Sequence, residues 1–443
     1  MTMMSWTSLL SSKRLGAKAR PELARSPYHK DHDRIVFSSA FRHLNRKTQV
    51  HPFARNDHIH TRLTHSLEVG CVGRTLGQLV GERLEDRLPA HLSPTDIGAI
   101  IQSACLAHDI GNPPFGHAGE FAIREWFLHP DRRALLGRMR LDEAHDLCNF
   151  EGNAQGLRLL TQTEHHPFSG GMRLTFATLG AYIKYPWTGQ VQALRANMPK
   201  FGCYQSEREI MATLAGELGL IEQGDWRWCR HPLAYLVEAA DDLCYALIDL
   251  EDGIEMNILP YELVEPLFIG LLPDQPLPPE LFEPDSTPRR KIAALRGAAF
   301  NALVQAIADT FVLHEQALLK GQLQGSLLQY CAEHLHQGIE AAKHMARTRI
   351  FANPRKAQIE LGAYATLGCL LDSFIEASLA ALGDQELTFR HRRLLDILDA
   401  HLQIPAQTPY QACLRVLDYV ASLSDHNAMD LAQNLSGRID RGY

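Results

Sequence analysis

The chain has 443 residues, with 44 Lys and Arg against 51 Asp and Glu, for a formal net charge of −7 and a pI near 6.3. That balance argues against a surface built throughout to bind nucleic acid, and an apolar fraction of 45% with 21% charged residues is that of an ordinary globular protein. The length asks for two or three packed units, or one large helical domain with an appendage.

The first residues, MTMMSWTSLLSSKRLGAKAR, have a short apolar stretch with the basic residues after it and no clear cleavage site, so no signal peptide is expected. Nine cysteines are scattered without a Cys-x-x-Cys pair, which suits reduced thiols in a cytoplasmic protein. Apolar periodicity is helical almost throughout and no series of alternating strands stands out, so the fold class is mainly α. Ser93-Pro94-Thr95-Asp96 reads as a helix start, with Ser93 capping, Pro94 at the first helical position and Asp96 at the positive end. That helix is expected from Pro94 to Asp109, where Gly111-Asn112-Pro113-Pro114 stops it and Gly111 supplies a left-handed cap. A second helix is expected from Pro232 through VEAADDLCYALIDLED to Gly253, placing Asp241, Tyr245 and Asp249 on one stripe.

Prolines at 260, 266, 273, 276, 278, 279 and 284 mark a connector, after which helical patterns resume near Arg289. The expected division is 1–253 as an N-terminal segment plus the catalytic core, 254–288 as a proline-rich connector, and 289–443 as a C-terminal helical region that packs on the core and serves oligomer contacts. Within that region Tyr364 to Gly383 is strongly apolar but interrupted by Asp372 and Glu376, which fits a buried or interface helix rather than a membrane span.

An adjacent His-Asp pair says little in a chain with 22 histidines. In CLAHDIGNPPFGHAGE, however, a helix end delivers His108 and Asp109 to a Gly-Pro-rich turn, with His117 and Glu120 following. Two imidazoles and two carboxylates can hold a divalent ion such as Mg, Mn, Ni, Co, Fe or Zn and leave positions open for water and a phosphate oxygen. Phosphoester hydrolysis is the natural reaction class for such a centre.

Several segments carry a family resemblance: RLTHSLEVG around His65, HDIGNPPFGHAGE, NFEGNAQ, KYPW at 184 to 187, EAADDLCYALIDLEDG, the upstream SPYHKDHDRIVFSSAFRHLNRKTQVHP and the late LDYVASLSD at Leu417 to Asp425. Together they resemble the HD superfamily, specifically its deoxyguanosine triphosphate triphosphohydrolase branch. The resemblance implies a helical HD core with additional C-terminal helices, a divalent metal held by His65, His108, Asp109 and Asp241, and release of whole triphosphate from a deoxynucleoside triphosphate. Asp242 competes for the fourth metal position; Asp241 is preferred because the family pattern has a tyrosine four and an aspartate eight residues beyond the ligand, as Tyr245 and Asp249 are.

The resemblance further implies that Tyr245 and Asp249 face the deoxyribose, that His117 with Glu120 forms an acid dyad for the leaving alkoxide, and that Arg62 and Lys184 balance phosphate charge. Asn45 stands where many members carry a glutamine facing the sugar, and its side chain is shorter. A homo-oligomer, tetramer or hexamer, is also implied. Two other readings share the residues: an HD-type phosphohydrolase acting on a nucleoside monophosphate, cyclic nucleotide or guanosine tetraphosphate, and a nucleotide-sensing regulator with a degraded site. Binding of single-stranded nucleic acid would need a local basic groove, for which the sequence offers no support.

Overall fold

The computed structural model describes residues 3–16, 25–48, 60–163, 171–189, 200–273, 275–351, 354–383, 386–401 and 406–438. Helices account for nearly all regular structure; among the described residues the one named sheet is a two-stranded hairpin, β1 (Glu222–Gly224) and β2 (Arg227–Trp228). The principal helices are α1 (Pro27–Val36), α2 (Arg62–Arg83), α3 (Pro94–Ala107), α4 (Gly116–Leu128), α5 (Gly152–Arg158), α6 (Phe176–Tyr182), α7 (Arg208–Leu218), α8 (Pro232–Glu255), α9 (Tyr261–Gly270), α10 (Pro288–Leu313), α11 (Glu333–Met345), α12 (Pro354–Ala380), α13 (Phe389–His401), α14 (Pro409–Ser422) and α15 (Asp425–Leu435).

The pairing that builds the site is between α2 and α3. Glycines 70, 73, 77 and 81 form a stripe along α2, and the gap they leave is filled by α3: a Cβ on Gly77 would come within 2.7 Å of the Gly98 Cα, and one on Gly81 within 2.7 Å of the Pro94 Cα. Removing side chains from one face lets the two backbones approach closely. Because Gly81 meets Pro94 while Gly70 meets Leu106, the helices run antiparallel, and the start of α2 is set against the end of α3. His65 and His108 thereby become neighbours, with ring centroids 5.4 Å apart.

The start of α3 follows the sequence reading: the Ser93 hydroxyl accepts from the Asp96 N–H, the Asp96 carboxylate accepts from the Ser93 N–H at 2.9 Å, and Pro94 stands at the first helical position. The end comes two residues earlier than expected, with His108 as the C-cap. Gly111 is not the left-handed residue; Phe115 (φ 65°) and Gly116 (φ 56°) are. Gly111 is needed for a different reason, since a Cβ there would lie 1.9 Å from the Gly152 carbonyl oxygen and 2.2 Å from the Gly156 nitrogen. At the second expected helix, α8 runs two residues beyond Gly253, to Glu255.

Buried apolar side chains form two cores. The first gathers α1 to α3, α6 to α11 and the N-terminal Met4 to Leu10; the second gathers α4, Phe150, Phe201, Tyr204 and α12 to α15. The turn after α3 passes from one to the other, with Ile110 in the first and Phe115 in the second. The segment 254–288, expected as a connector, contains α9, which carries Pro266 within it and packs on α10 and α11. Those two helices belong to the first core, so the passage between cores in the C-terminal part falls between Ile350 and Ala363. All nine cysteines are free, and no helix among the described residues is long and apolar enough to cross a membrane.

Candidate metal and nucleotide site

The ends of α2 and α3 and the middle of α8 converge on one point. Donor atoms of His65, His108 and Asp109 lie within 4.8 Å of one another, and α8 adds Asp241, whose Oδ1 is 3.1 Å from His65 Nε2 and 3.5 Å from His108 Nε2. Asp242 turns the other way, to the Lys343 ammonium at 3.1 Å. Of the two adjacent aspartates, therefore, the structure brings Asp241 to the histidines.

The donor set fits a divalent cation. His108 Nδ1 is 2.6 Å from the Cys105 carbonyl oxygen, which can only accept; Nδ1 thus donates there and Nε2 faces the cluster, the nitrogen a metal would take. Asp109 Oδ1 accepts from Arg62 Nη1 at 2.8 Å and from the Asn112 amide, whereas its Oδ2 is buried with no partner among the described residues. A buried carboxylate oxygen left unpaired is costly unless something of positive charge faces it. Burial opposes the charge on both aspartates, yet both are held below the ordinary carboxylate range, Asp109 by Arg62 and His108 and Asp241 by His108 and His65.

A cavity of about 440 Å³ opens beside this cluster, a volume suited to a small-molecule ligand. Arg62, Lys184, Lys200 and Lys356 line it together with Asp109, Glu238 and Asp241, and Tyr182, Tyr185, Tyr245 and Phe351 supply aromatic surface. Lys184 pairs with Glu238 at 3.2 Å, and Lys200 with Glu151 at 3.0 Å. Burial works against the Lys184 charge, but Tyr185, Glu238 and Asp241 outweigh it and raise the group above an ordinary lysine. The cavity wall thus sets four cations, each held by a carboxylate partner, beside the cluster, groups able to bind anionic oxygens.

On the cavity rim, His117 is 77% exposed and its Nδ1 lies 3.0 Å from Glu120 Oε2. Glu120 is buried; burial favours its neutral form, yet hydrogen bonding from His117 and the charges of Lys200 and Arg124 bring it down to about 2. An ionised carboxylate only accepts, so Nδ1 donates and the Nε2 side of the ring is left for solvent or a ligand. Glu120 Oε1 accepts from the Gly152 N–H at 2.9 Å, and a Cβ on Gly152 would crowd both Glu120 and Asn112. The NFEGNAQ segment therefore backs the dyad and the turn rather than lining the cavity alone.

Of the residues singled out from sequence, Arg62, His108, Asp109, His117, Lys184, Asp241 and Tyr245 line the cavity, while His65 and Glu120 stand buried behind it. Asn45 and Asp249 are not brought there. Asn45 lies exposed on the short turn Leu44–Arg46, and Asp249 is buried two helical turns past Asp241, where desolvation and Asp252 hold its carboxyl well above the ordinary range. Sequence reasoning missed Lys200, Phe351 and Lys356; each lies far from the His-Asp motif in the chain, and no local pattern marks any of them.

Comparison with known proteins places these features in context. Residues 62–183 match the HD domain family, a span that contains His65, His108, Asp109 and the dyad but ends before Asp241. A deoxyguanosinetriphosphate triphosphohydrolase-like protein of Pseudomonas aeruginosa is 52% identical, the alignment covering 98% of this chain and 99% of the relative. A protein of the same description from Synechocystis is 38% identical over 98% and 99%. The deoxyguanosinetriphosphate triphosphohydrolase of Salmonella typhimurium is 32% identical over 94% of each chain.

Proposed function

From the premise that this chain belongs to the deoxyguanosinetriphosphate triphosphohydrolase family of HD-domain proteins, we propose that it hydrolyses deoxynucleoside triphosphates, dGTP among them, to deoxynucleoside and inorganic triphosphate. The observation that carries the proposal is the juxtaposition of the four-residue His-Asp cluster with a cation-lined cavity and a carboxylate-backed histidine. His65, His108, Asp109 and Asp241 would hold a divalent ion, Mg or Mn in the first instance, which supplies Lewis acidity toward water and a phosphoryl oxygen.

The chain's own residues do the rest. Arg62, anchored on Asp109, and Lys184, anchored on Glu238, neutralise the phosphates, and Lys200 adds a third cation on the same wall. Water attacks the α-phosphorus and the bond to the 5′ oxygen breaks. A deoxynucleoside alkoxide is a poor leaving group, and His117 delivers a proton to it from Nε2 while Glu120 holds the ring and its tautomer. Tyr245, beside Phe351 at 5.7 Å between ring centroids, offers an aromatic edge to the sugar and base. The proposal includes a cytoplasmic homo-oligomer, tetramer or hexamer, which light scattering measures.

Incubation of the purified chain with each deoxynucleoside triphosphate and Mg or Mn, followed by anion-exchange separation, tests the reaction. Deoxynucleoside and triphosphate are expected. Monophosphate with pyrophosphate, or diphosphate with phosphate, would rule out the bond cleavage proposed, and turnover of other phosphoesters alone would reassign the substrate.

A further inference from the structure

The late motif LDYVASLSD has no part in the cluster or the cavity, yet its last residue reaches the turn that carries His117. Asp425 is 1% exposed, and each of its carboxylate oxygens accepts from a main-chain amide far away in the sequence: Oδ1 from Phe115 at 2.8 Å and Oδ2 from Thr48 at 3.0 Å. It is not spent on capping its own helix, because Ser424 does that through the Asn427 N–H.

Beside it, Lys47 is 2% exposed, and its ammonium donates to the Asn112 carbonyl at 2.7 Å and to the Ala421 carbonyl. Lys47 also accepts the Arg62 N–H through its own carbonyl at 3.0 Å, and Thr48 bridges Thr61, the cap of α2. The pair therefore ties together three segments: the start of α2 with Arg62, the turn from Asn112 to Phe115, and the end of α14 with the start of α15.

The turn needs such support. Phe115 at φ 65° and Gly116 at φ 56° are consecutive left-handed residues immediately before His117, and a left-handed non-glycine is strained because its Cβ crowds the following carbonyl oxygen. Strain of this kind persists only where surrounding groups over-determine the backbone. We infer that Asp425, with Lys47 beside it, is a positioning residue that holds the Phe115–His117 turn over the cavity, so that the C-terminal helices set the aim of the proton donor. This rests on the reading of His117 given above.

The test uses the full chain and its Asp425→Ala, Asp425→Asn and Lys47→Met variants. Asp425→Ala lowers kcat about tenfold or more while KM stays within about twofold, since misaiming a catalytic group costs rate rather than binding. Asp425→Asn keeps one acceptor oxygen for the Phe115 N–H and holds kcat within about threefold of the parent. Amide hydrogen exchange over residues 112–119 accelerates in Asp425→Ala and stays close to the parent in Asp425→Asn. If Asp425→Ala does not fold, Lys47→Met carries the test, with the same fall in kcat and faster exchange expected. Parental kcat in Asp425→Ala, or in Lys47→Met where Asp425→Ala does not fold, a loss confined to KM, or unchanged exchange at 112–119 in that variant would overturn the inference. A parent inactive on every deoxynucleoside triphosphate would instead defeat the functional proposal, and the exchange result would still judge the contact.

Discussion

At the scale of residues, the site is a set of charges that neutralise one another only in the folded chain. Arg62 and the buried Asp109 illustrate this: the guanidinium holds one carboxylate oxygen at 2.8 Å while the other has no partner among the described residues. Arg62→Ala leaves that carboxylate uncompensated, and removing one partner of a buried pair costs about 3–5 kcal/mol; urea denaturation without added metal should show the loss, and saturating Mn should recover part of it. Glu120 is held below the ordinary carboxylate range, so Glu120→Gln removes the charge facing His117 and leaves one acceptor oxygen for two donors, His117 Nδ1 and the Gly152 N–H. Its kcat should fall roughly 10²-fold, the low end of what a positioned acid contributes, with Mn affinity by titration calorimetry unchanged. A parental kcat in that variant would remove His117 and Glu120 from the chemistry. That His65, His108, Asp109 and Asp241 come together was legible through the family resemblance of their motifs, which also picked Asp241 over the adjacent Asp242. Lys200, Phe351 and Lys356 were not: a lone lysine or phenylalanine takes its meaning only from what folds against it.

At the scale of elements, backbone approach decides the geometry. The glycine stripe on α2 brings α3 close enough for His65 to meet His108. Gly77→Val would drive a side chain into the Gly98 backbone, and overpacking of this kind costs about 1–3 kcal/mol or more; a lower melting temperature and weaker Mn binding should appear together, because the same displacement separates the histidines. Gly216 on α7 is the control, since a Cβ there meets nothing within 4 Å among the described residues, and Gly216→Ala should gain roughly 0.5–1 kcal/mol. Helix starts were readable, as Ser93-Pro94 shows, because capping is local chemistry. Helix ends and turns were less so. Gly111 looked like a left-handed cap, but its place is set by Gly152 and Gly156, some forty residues on, and the left-handed positions fell at Phe115 and Gly116. Likewise the prolines between 254 and 288 suggested an irregular connector, yet α9 forms there because its apolar face is covered by α10 and α11. Local punctuation yielded to tertiary burial.

At the scale of the whole molecule, two apolar cores share one turn, and the site lies where they meet. The first core carries α2, α3 and α8 with the cluster; the second carries α4 with the dyad and, through α14 and α15, the contacts that hold the turn. The fold also carries a pH signature away from the cluster. His60 lies between Asp252 at 2.7 Å and Glu68 at 3.1 Å; burial lowers its pKa, but the hydrogen bonds to those carboxylates prevail and raise it from 6.5 to about 10. A raised histidine stabilises the fold fully below its unfolded value of 6.5 and loses that contribution as pH climbs toward 10. His60→Asn should therefore cost about 1.5–3 kcal/mol at pH 6, the worth of charge-assisted hydrogen bonds, and much less at pH 10.5, measured by urea denaturation at both. A gap that does not narrow with pH would show that the ring is not held protonated. In the proposed function, the His65, His108, Asp109 and Asp241 centre cleaves whole triphosphate from a deoxynucleoside triphosphate. A ³¹P NMR time course with dGTP and Mg tests it most directly, run on the parent, Asp241→Ala and Asp242→Ala. Inorganic triphosphate is expected from the parent and from Asp242→Ala, and none from Asp241→Ala; pyrophosphate or orthophosphate as the first product, or triphosphate released by Asp241→Ala, would refute that role.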